Sequence, residues 1–173
     1  MIFDTFWARN KDKIGNVIMM EQPFSFEIDG YHFTGKIDRV DKLNGNGEVE
    51  IIDYKTGREP TKEDREDQLL LYKMAFEHDP TLKAMGLTPK NLTLELLEEE
   101  KPRIFQVDGD GFMVCINGRC TKANIAEVEQ NLLEIAACIK HDYENGFEVK
   151  EDCGGTNVPG GSCEYRMYCP RWG

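Results

Sequence analysis

Three runs of alternating apolar and polar residues fill most of the first third of the chain, at 17–29, 31–43 and 48–55. This alternation is typical of β-strands that bury one face. Asp29 and Gly30 form a two-residue hairpin signal between the first two runs, and the Asn- and Gly-rich segment 44–47 is a second turn. The pattern predicts a three-stranded antiparallel meander, with a short helix before it over residues 2–13.

The remainder of the chain mixes helical and strand patterns. Apolar residues recur at helical spacing over about 62–78 and from about 124 to 143. Three short strand patterns lie between these helices, at 91–98, 103–107 and 112–116. Strands combined with helices in this order indicate the α/β class. We expect one domain over residues 1–150, and a Gly-, Pro- and Cys-rich tail over residues 151–173 that packs on the same domain.

The composition narrows the class of protein. The 173 residues suit a single domain, and no run of 18 apolar residues is present to span a membrane. The N-terminal sequence lacks a basic region followed by an apolar stretch, so we expect a cytoplasmic protein with no membrane partner. Without a secretory signal, the six cysteines do not predict a disulfide framework.

The charge is strongly acidic but unevenly distributed. The 21 basic and 32 acidic residues give a net charge of −11. Taken alone, this charge argues against a nucleic-acid binder, because phosphate contacts rely on Lys and Arg. Residues 31–62, however, carry six basic and six acidic side chains, so the whole negative excess lies elsewhere. This segment therefore repels a phosphate backbone least.

The second hairpin predicts a pair of opposed carboxylates. If residues 44–47 form its loop, the numbers of paired residues sum to 91, and Asp38 faces Asp53. Opposed residues have Cβ atoms about 5 Å apart, where two carboxylates repel unless a cation separates them. Lys55 follows Asp53 by two residues, on the same strand face. This arrangement suits metal-assisted hydrolysis of a phosphodiester, and the alternative is a surface salt-bridge cluster.

The helix that follows adds two polar side chains. Gln68 and Tyr72 are four residues apart, so they share one helix face. Both can donate a hydrogen bond to a phosphate or to a catalytic carboxylate. On its own, this pair occurs on helices for incidental reasons more often than for functional ones.

Three motifs in order resemble a known family. They are the runs 35–41 (GKIDRVD), 51–57 (IIDYKTG) and 68–72 (QLLLY). Together they are similar to the G-x-I-D-R-x-D, I-x-D-Y-K-T-G and Q-x-x-x-Y motifs of the RecB-like branch of the PD-(D/E)xK nucleases. The resemblance extends to Glu21, to the strand at 92–97 and to the segment 163–170, and so covers most of the chain.

The resemblance implies a restriction-endonuclease-like fold, with a mixed sheet flanked by helices, and a Mg²⁺- or Mn²⁺-dependent DNA nuclease. Asp38 and Asp53 would bind the metal together with the backbone carbonyl of Tyr54. Lys55 would act on the attacking water, and Glu21 would be an auxiliary acidic residue. Gln68 and Tyr72 would shape the site or contact the phosphate.

Domains of this kind often form the C-terminal part of long helicases of the UvrD/Rep type. The tail of this chain is most similar to those domains. The resemblance therefore implies a helicase module, in the same or a partner chain, and a role in DNA repair or recombination. The helicase-linked members usually carry a metal-binding His before the meander, and no His precedes Glu21 here. We expect either a fragment of a longer protein or an incomplete second metal site.

The cysteines of the tail depart from the family pattern. Related nucleases hold an iron–sulfur cluster with four cysteines, three of them in a C-x-x-C-x5-C run. Cys163 and Cys169 keep the second spacing, but Gly160 replaces the first cysteine and Cys153 lies ten residues before Cys163. A complete cluster is therefore not expected. Zn²⁺, a defective cluster and reduced structural thiols remain open.

Two other functions remain open for the whole chain. One is a DNA-interaction or scaffold module that retains the nuclease fold without turnover. The intact Asp38, Asp53 and Lys55 argue against it, and the missing His and the negative charge argue for it. The other is a stand-alone exonuclease.

Overall fold

The computed structural model describes residues 2–56, 62–117 and 123–146. The chain divides into two compact units, Met1–Leu133 and Glu134–Gly173. The site residues named above all lie in the first unit, apart from the three tail cysteines, which lie outside the described residues together with the predicted tail.

One mixed sheet organises the first unit, with its seven strands in the order in which they occur along the chain. The strands are β1 (Val17–Ile28), β2 (Tyr31–Lys42), β3 (Glu48–Lys55), β4 (Thr88–Leu96), β5 (Arg103–Val107), β6 (Phe112–Cys115) and β7 (Ala123–Asn124). The helices are α1 (Ile2–Asn10), α2 (Lys62–His78), α3 (Pro80–Ala84) and α4 (Ile125–Asn145). The α/β class and the mixed sheet flanked by helices are confirmed.

The predicted meander forms with the predicted register. Asp29 and Gly30 both have positive φ angles, 50° and 79°, as a type I′ hairpin turn between β1 and β2 requires. In the second hairpin, Arg39 pairs with Ile52 and Val40 with Ile51, so paired numbers sum to 91. The local turn chemistry therefore set the relative position of β2 and β3.

The parallel pair β3 and β4 makes the sheet mixed, because all the other neighbouring strands are antiparallel. Parallel neighbours need a crossover, which α2 and α3 supply. The short α3 was not predicted; Asp79 caps it by accepting hydrogen bonds from the backbone N–H groups of Thr81 and Leu82. Strand β4 begins at Thr88, earlier than predicted, because its ladder with β3 continues through Pro89.

The two faces of β3 are both covered. We call the face that carries Val49, Ile51 and Asp53 the front face, and α2 packs against it. The face that carries Glu50, Ile52 and Tyr54 is the back face, and α1 contacts it through Phe6. Residues 49–53 are consequently buried without interruption. Two of these buried residues, Glu50 and Asp53, carry carboxylates, so burial on both faces includes charge.

A glycine of the first motif lies under an aromatic ring of the core. Gly35 pairs with Phe24 across β1 and β2, and a Cβ atom at Gly35 would lie 2.4 Å from the tip of that ring. Phe24 is buried and contacts Phe26 and Tyr72 with its ring. The glycine is therefore needed for close packing beneath α2.

The last helix, α4, has an apolar stripe that sequence periodicity assigns to the core. Val128 is buried, and Ile125 and Leu132 pack against the core, all in the first unit. Ile135 and Ile139, in the second unit, are 57% and 60% exposed.

Candidate active site

Two carboxylates lie on neighbouring strands at one end of the sheet. The register of β2 and β3 places Asp38 opposite Asp53, one pair beyond the last ladder pair, Arg39 with Ile52. Asp38 is half-buried, and its Oδ2 accepts a hydrogen bond of 3.0 Å from the backbone N–H of Tyr54. Asp53 is only 2% exposed. The predicted opposition of the two carboxylates is therefore consistent with the backbone and with this hydrogen bond.

Three side chains, Lys55, Gln68 and Tyr72, form a ring with the carboxylate of Asp53. Lys55 Nζ lies 2.8 Å from Asp53 Oδ2 and donates a hydrogen bond to the side-chain carbonyl of Gln68. The amide of Gln68 donates to the Tyr72 hydroxyl over 2.9 Å, and that hydroxyl lies 3.4 Å from Asp53 Oδ1. The helical spacing of Gln68 and Tyr72 thus brings both residues to the two strand residues.

Burial controls the electrostatics of this ring. Burial raises the pKa of Asp53 above its ordinary value, Lys55 lowers it in part, and the nearby charge of Asp38 raises it further. The pKa of Tyr72 is also raised, first by burial and then by the charges of Asp53 and Asp38. The hydroxyl of Tyr72 therefore stays protonated and available as a hydrogen-bond donor.

One oxygen of Asp53 is held by a single cationic neighbour. Its Oδ2 is buried and lies 2.8 Å from the ammonium of Lys55, which is charge-assisted hydrogen-bond distance. A carboxylate oxygen has two lone pairs and can take a second partner. The half-buried Asp38 and Lys55 show that this end of the ring reaches solvent. An external cation at this end would offset the charges of the two neighbouring carboxylates.

The available donors fit a hard divalent cation in part. Mg²⁺ is commonly bound by one or two carboxylates, with water and substrate phosphate completing six ligands. Asp38 and Asp53 supply the carboxylates, and the backbone of Tyr54 lies between Asp53 and Lys55 on the same strand end. No group of three or more His, Cys, Asp or Glu side chains within the described residues forms a complete protein site. A cation here would therefore keep several water or phosphate ligands.

Glu21 lies close to this site along the backbone, and its side chain is largely exposed. Met20 pairs with Arg39 and Gln22 with Ile37, so Glu21 falls opposite Asp38. Its side chain is 66% exposed and lies 3.1 Å from Lys36. Its φ angle of 50° is unusual for a residue other than glycine, and such strain is concentrated at functional sites. The auxiliary role of Glu21 stays a prediction.

A second polar cluster lies behind the site, and sequence reasoning did not assign it a role. Arg39 Nε and Nη2 donate to the two oxygens of Asp41 over 2.6 and 2.5 Å. Its Nη1 donates to Asn10 of α1 and to the hydroxyl of Tyr54. The signal was available: Arg39 and Asp41 are two residues apart, so they share one face of β2.

Several predictions fall outside the described residues. Cys153, Cys163 and Cys169 lie there, so iron–sulfur or zinc binding is not tested, and the same holds for Gly57 at the end of the second motif.

Among the helices that the structure describes, none is long and apolar enough to cross a bilayer.

Comparison with protein families identifies the class. The family model of the PD-(D/E)XK nuclease superfamily matches residues 2–170. The chain therefore belongs to the PD-(D/E)XK nuclease superfamily, as the motifs and the mixed sheet indicate. A comparison with curated proteins found no match. Membership in this superfamily indicates a hydrolase of phosphodiester bonds.

Proposed function

We propose that the chain is a metal-dependent DNA nuclease that uses Mg²⁺ or Mn²⁺ where the ladder between β2 and β3 ends. Asp38, Asp53 and the backbone carbonyl of Tyr54 hold the cation. The observation that carries the proposal is the buried carboxylate of Asp53, which has Lys55 Nζ 2.8 Å from its Oδ2 and the charge of the half-buried Asp38 nearby.

The charges of the site suit phosphodiester hydrolysis. A bound cation polarises the phosphoryl oxygen and lowers the pKa of a coordinated water. Lys55 orients the attacking water and offsets the negative charge that develops in the transition state. Its exposure of 23% leaves the ammonium accessible to a substrate phosphate while Asp53 holds it in place.

Gln68 and Tyr72 position these groups. The hydrogen bond from Lys55 to Gln68 restricts the lysine side chain, and the Tyr72 hydroxyl restricts the carboxylate of Asp53. Restricting both side chains before substrate binds lowers the entropic cost of reaching the reactive geometry. Both residues come from α2, so the helix supports the site as well as the core.

We further propose that the domain serves a helicase in DNA repair or recombination, in the RecB-like and UvrD/Rep-type manner that the motifs resemble. The net charge of −11 supports dependence on a partner, because a nuclease without excess basic charge gains little affinity from phosphate contacts. The same charge, with Glu21 exposed and paired with Lys36, favours a second candidate, a DNA-interaction module with little turnover.

The two candidates differ in metal-dependent cleavage. The full chain is incubated with single- and double-stranded DNA at low salt, in Mn²⁺, Mg²⁺ or chelator, beside Asp53→Asn and Asp38→Asn variants. Cleavage that needs a cation and both carboxylates supports the nuclease. An exposed carboxylate of α2, changed in Glu77→Gln, is the matched control. DNA binding without cleavage by the wild type, with or without an added helicase partner, would favour the scaffold.

A further inference from the structure

The polar cluster on the back face is closed and buried. Arg39 and Asp41 have side chains 5% and 3% exposed and form a bidentate pair. Burial lowers the pKa of Arg39, but its hydrogen bonds to Asp41 and Tyr54 raise it above the ordinary value. The guanidinium is therefore permanently charged and has a fixed orientation. Its remaining nitrogen, Nη1, holds Asn10 and the Tyr54 hydroxyl at 3.2 and 3.0 Å.

Tyr54 connects this cluster to the front face. Its side chain lies on the back face, while its neighbours in sequence, Asp53 and Lys55, project to the front. Its backbone N–H holds Asp38 Oδ2 over 3.0 Å. The proposed function assigns its carbonyl to the metal. The position of one residue's backbone therefore affects both carboxylates and the lysine.

Packing alone leaves the ring of Tyr54 partly unsupported. The ring meets the edge of Phe6 with centroids 5.8 Å apart. On another side it borders a cavity of about 540 Å³. The cavity is lined by Phe3, Phe6, Met20, Tyr54 and Leu97. Because this space permits the ring to shift, the hydrogen bond to Arg39 is the directional contact that holds the hydroxyl.

We infer that Arg39, held by Asp41, is a positioning residue for the nuclease site: through the Tyr54 hydroxyl it fixes the strand end whose N–H holds Asp38 and whose carbonyl serves as metal ligand. This inference rests on the proposed function. It adds a role for a side chain that never meets the substrate. Groups that orient the ligands of a metal typically change metal affinity or activity by about 10–100-fold when they are removed.

The sharpest test is Tyr54→Phe, which removes one hydroxyl and keeps the ring. Removing Arg39 itself would leave Asp41 buried without a partner, and loss of folding would obscure the result. The matched control is Thr93→Val, since Thr93 donates a buried hydrogen bond of 2.5 Å to Glu50 on the same face of the sheet. Full-length wild type, both variants and Asp53→Asn are titrated with Mn²⁺ by calorimetry, and DNA cleavage is measured across Mn²⁺ concentrations.

We expect Tyr54→Phe to weaken Mn²⁺ binding about 10–100-fold and to recover most of the cleavage rate at saturating Mn²⁺. Thr93→Val should keep the wild-type Mn²⁺ affinity, even where its melting temperature falls. Wild-type Mn²⁺ affinity in Tyr54→Phe, or an equal loss of Mn²⁺ affinity in Thr93→Val, would overturn the inference. The proposed nuclease function would still stand if Mn²⁺ binding by the wild type depends on Asp53. A wild type no better than Asp53→Asn in binding and cleavage would overturn the proposed function, and this inference with it.

Discussion

The front and back faces of β2 and β3 bury charge in two different ways. On the back face, Arg39 satisfies both oxygens of Asp41 and also contacts Asn10 and Tyr54. On the front face, Asp53 has Lys55 at 2.8 Å and the charge of a second carboxylate, Asp38, nearby. Both clusters arise from alternating residues of β2 and β3.

The difference lies in whether a charged group is satisfied within the protein. A buried charge with all its hydrogen bonds formed holds the structure in place. A buried carboxylate beside a second carboxylate, at an edge that reaches solvent, suits an external cation. Charge and burial alone would not separate the two clusters, since Asp41 and Asp53 are both 2% exposed. Their neighbours separate them, because Asp41 has a bidentate arginine, whereas Asp53 has one lysine contact and a second carboxylate nearby.

The largest expected effect tests the structural nature of the back face. Arg39→Met should lower the free energy of unfolding by about 3–5 kcal/mol, because it leaves Asp41 buried and unpaired. Chemical denaturation measures the loss. The double variant Arg39→Met/Asp41→Leu removes the stranded charge and should regain part of the stability. No recovery in the double variant would show that the pair does not act as a unit.

Substitution of a charged residue on the front face should change the rate of DNA cleavage rather than the stability of the fold. Lys55→Ala should reduce DNA cleavage by about 10²–10³-fold, because the lysine stabilises charge that develops in the transition state. Single-turnover assays measure the loss, and circular dichroism checks the fold. Lys73→Ala, on α2 and paired with Glu77, is the control. Turnover close to wild type in Lys55→Ala would remove the lysine from the mechanism.

A smaller loss of stability and of cleavage rate is expected when a substitution in the core disturbs the front face. Gly35→Ala forces the new Cβ into the ring of Phe24, and overpacking of this kind costs about 1–3 kcal/mol. Phe24 also meets the ring of Tyr72 edge-on at 6.0 Å, so a displaced ring disturbs the hydroxyl beside Asp53. Thermal melting and the cleavage rate should therefore both fall. Gly15→Ala, which meets no neighbouring atom, should change neither.

The front face could be predicted from sequence because its arrangement is set by residues that are close together in the sequence. The turn at residues 44–47 sets the register of the hairpin, and Leu43 N–H indeed bonds the carbonyl of Glu48 over 2.9 Å. Register then opposes Asp38 and Asp53, and helical spacing pairs Gln68 with Tyr72. Local turns and periodicities also gave the bounds of α2 and the meander. The superfamily match over residues 2–170 confirms the class that these motifs indicate.

The back face depends on contacts between distant residues. Asn10 reaches Arg39 across 29 positions, and Arg9 lies 2.6 Å from Glu95. Periodicity places Arg39 and Asp41 on one face but does not say that α1 covers it. The ion pair between Glu21 and Lys36 of the neighbouring strand is equally unpredictable from a motif.

The smallest effect concerns the pH dependence of the front face without metal. Burial raises the folded-state pKa of Asp53 above 3.8, so the folded protein binds a proton more tightly than the unfolded chain does. This contribution to stability is complete below the unfolded pKa and disappears as pH rises through the folded pKa. Burial also raises the pKa of Glu95, so Glu95 contributes to the pH dependence of stability with the same sign. Only the difference between wild type and Asp53→Asn therefore isolates the contribution of Asp53.

Melting curves are measured in chelator, from below the unfolded-state pKa of Asp53 to neutral pH. The wild type should lose stability relative to Asp53→Asn as the pH rises. Saturating Mn²⁺ should reverse the order at neutral pH, because a ligand that binds only the folded state stabilises it and the asparagine variant binds it less well. Parallel pH profiles for the two proteins in chelator would mean that Lys55 already satisfies Asp53. The front face would then resemble the back face, and the buried carboxylate of Asp53 would no longer argue for a metal.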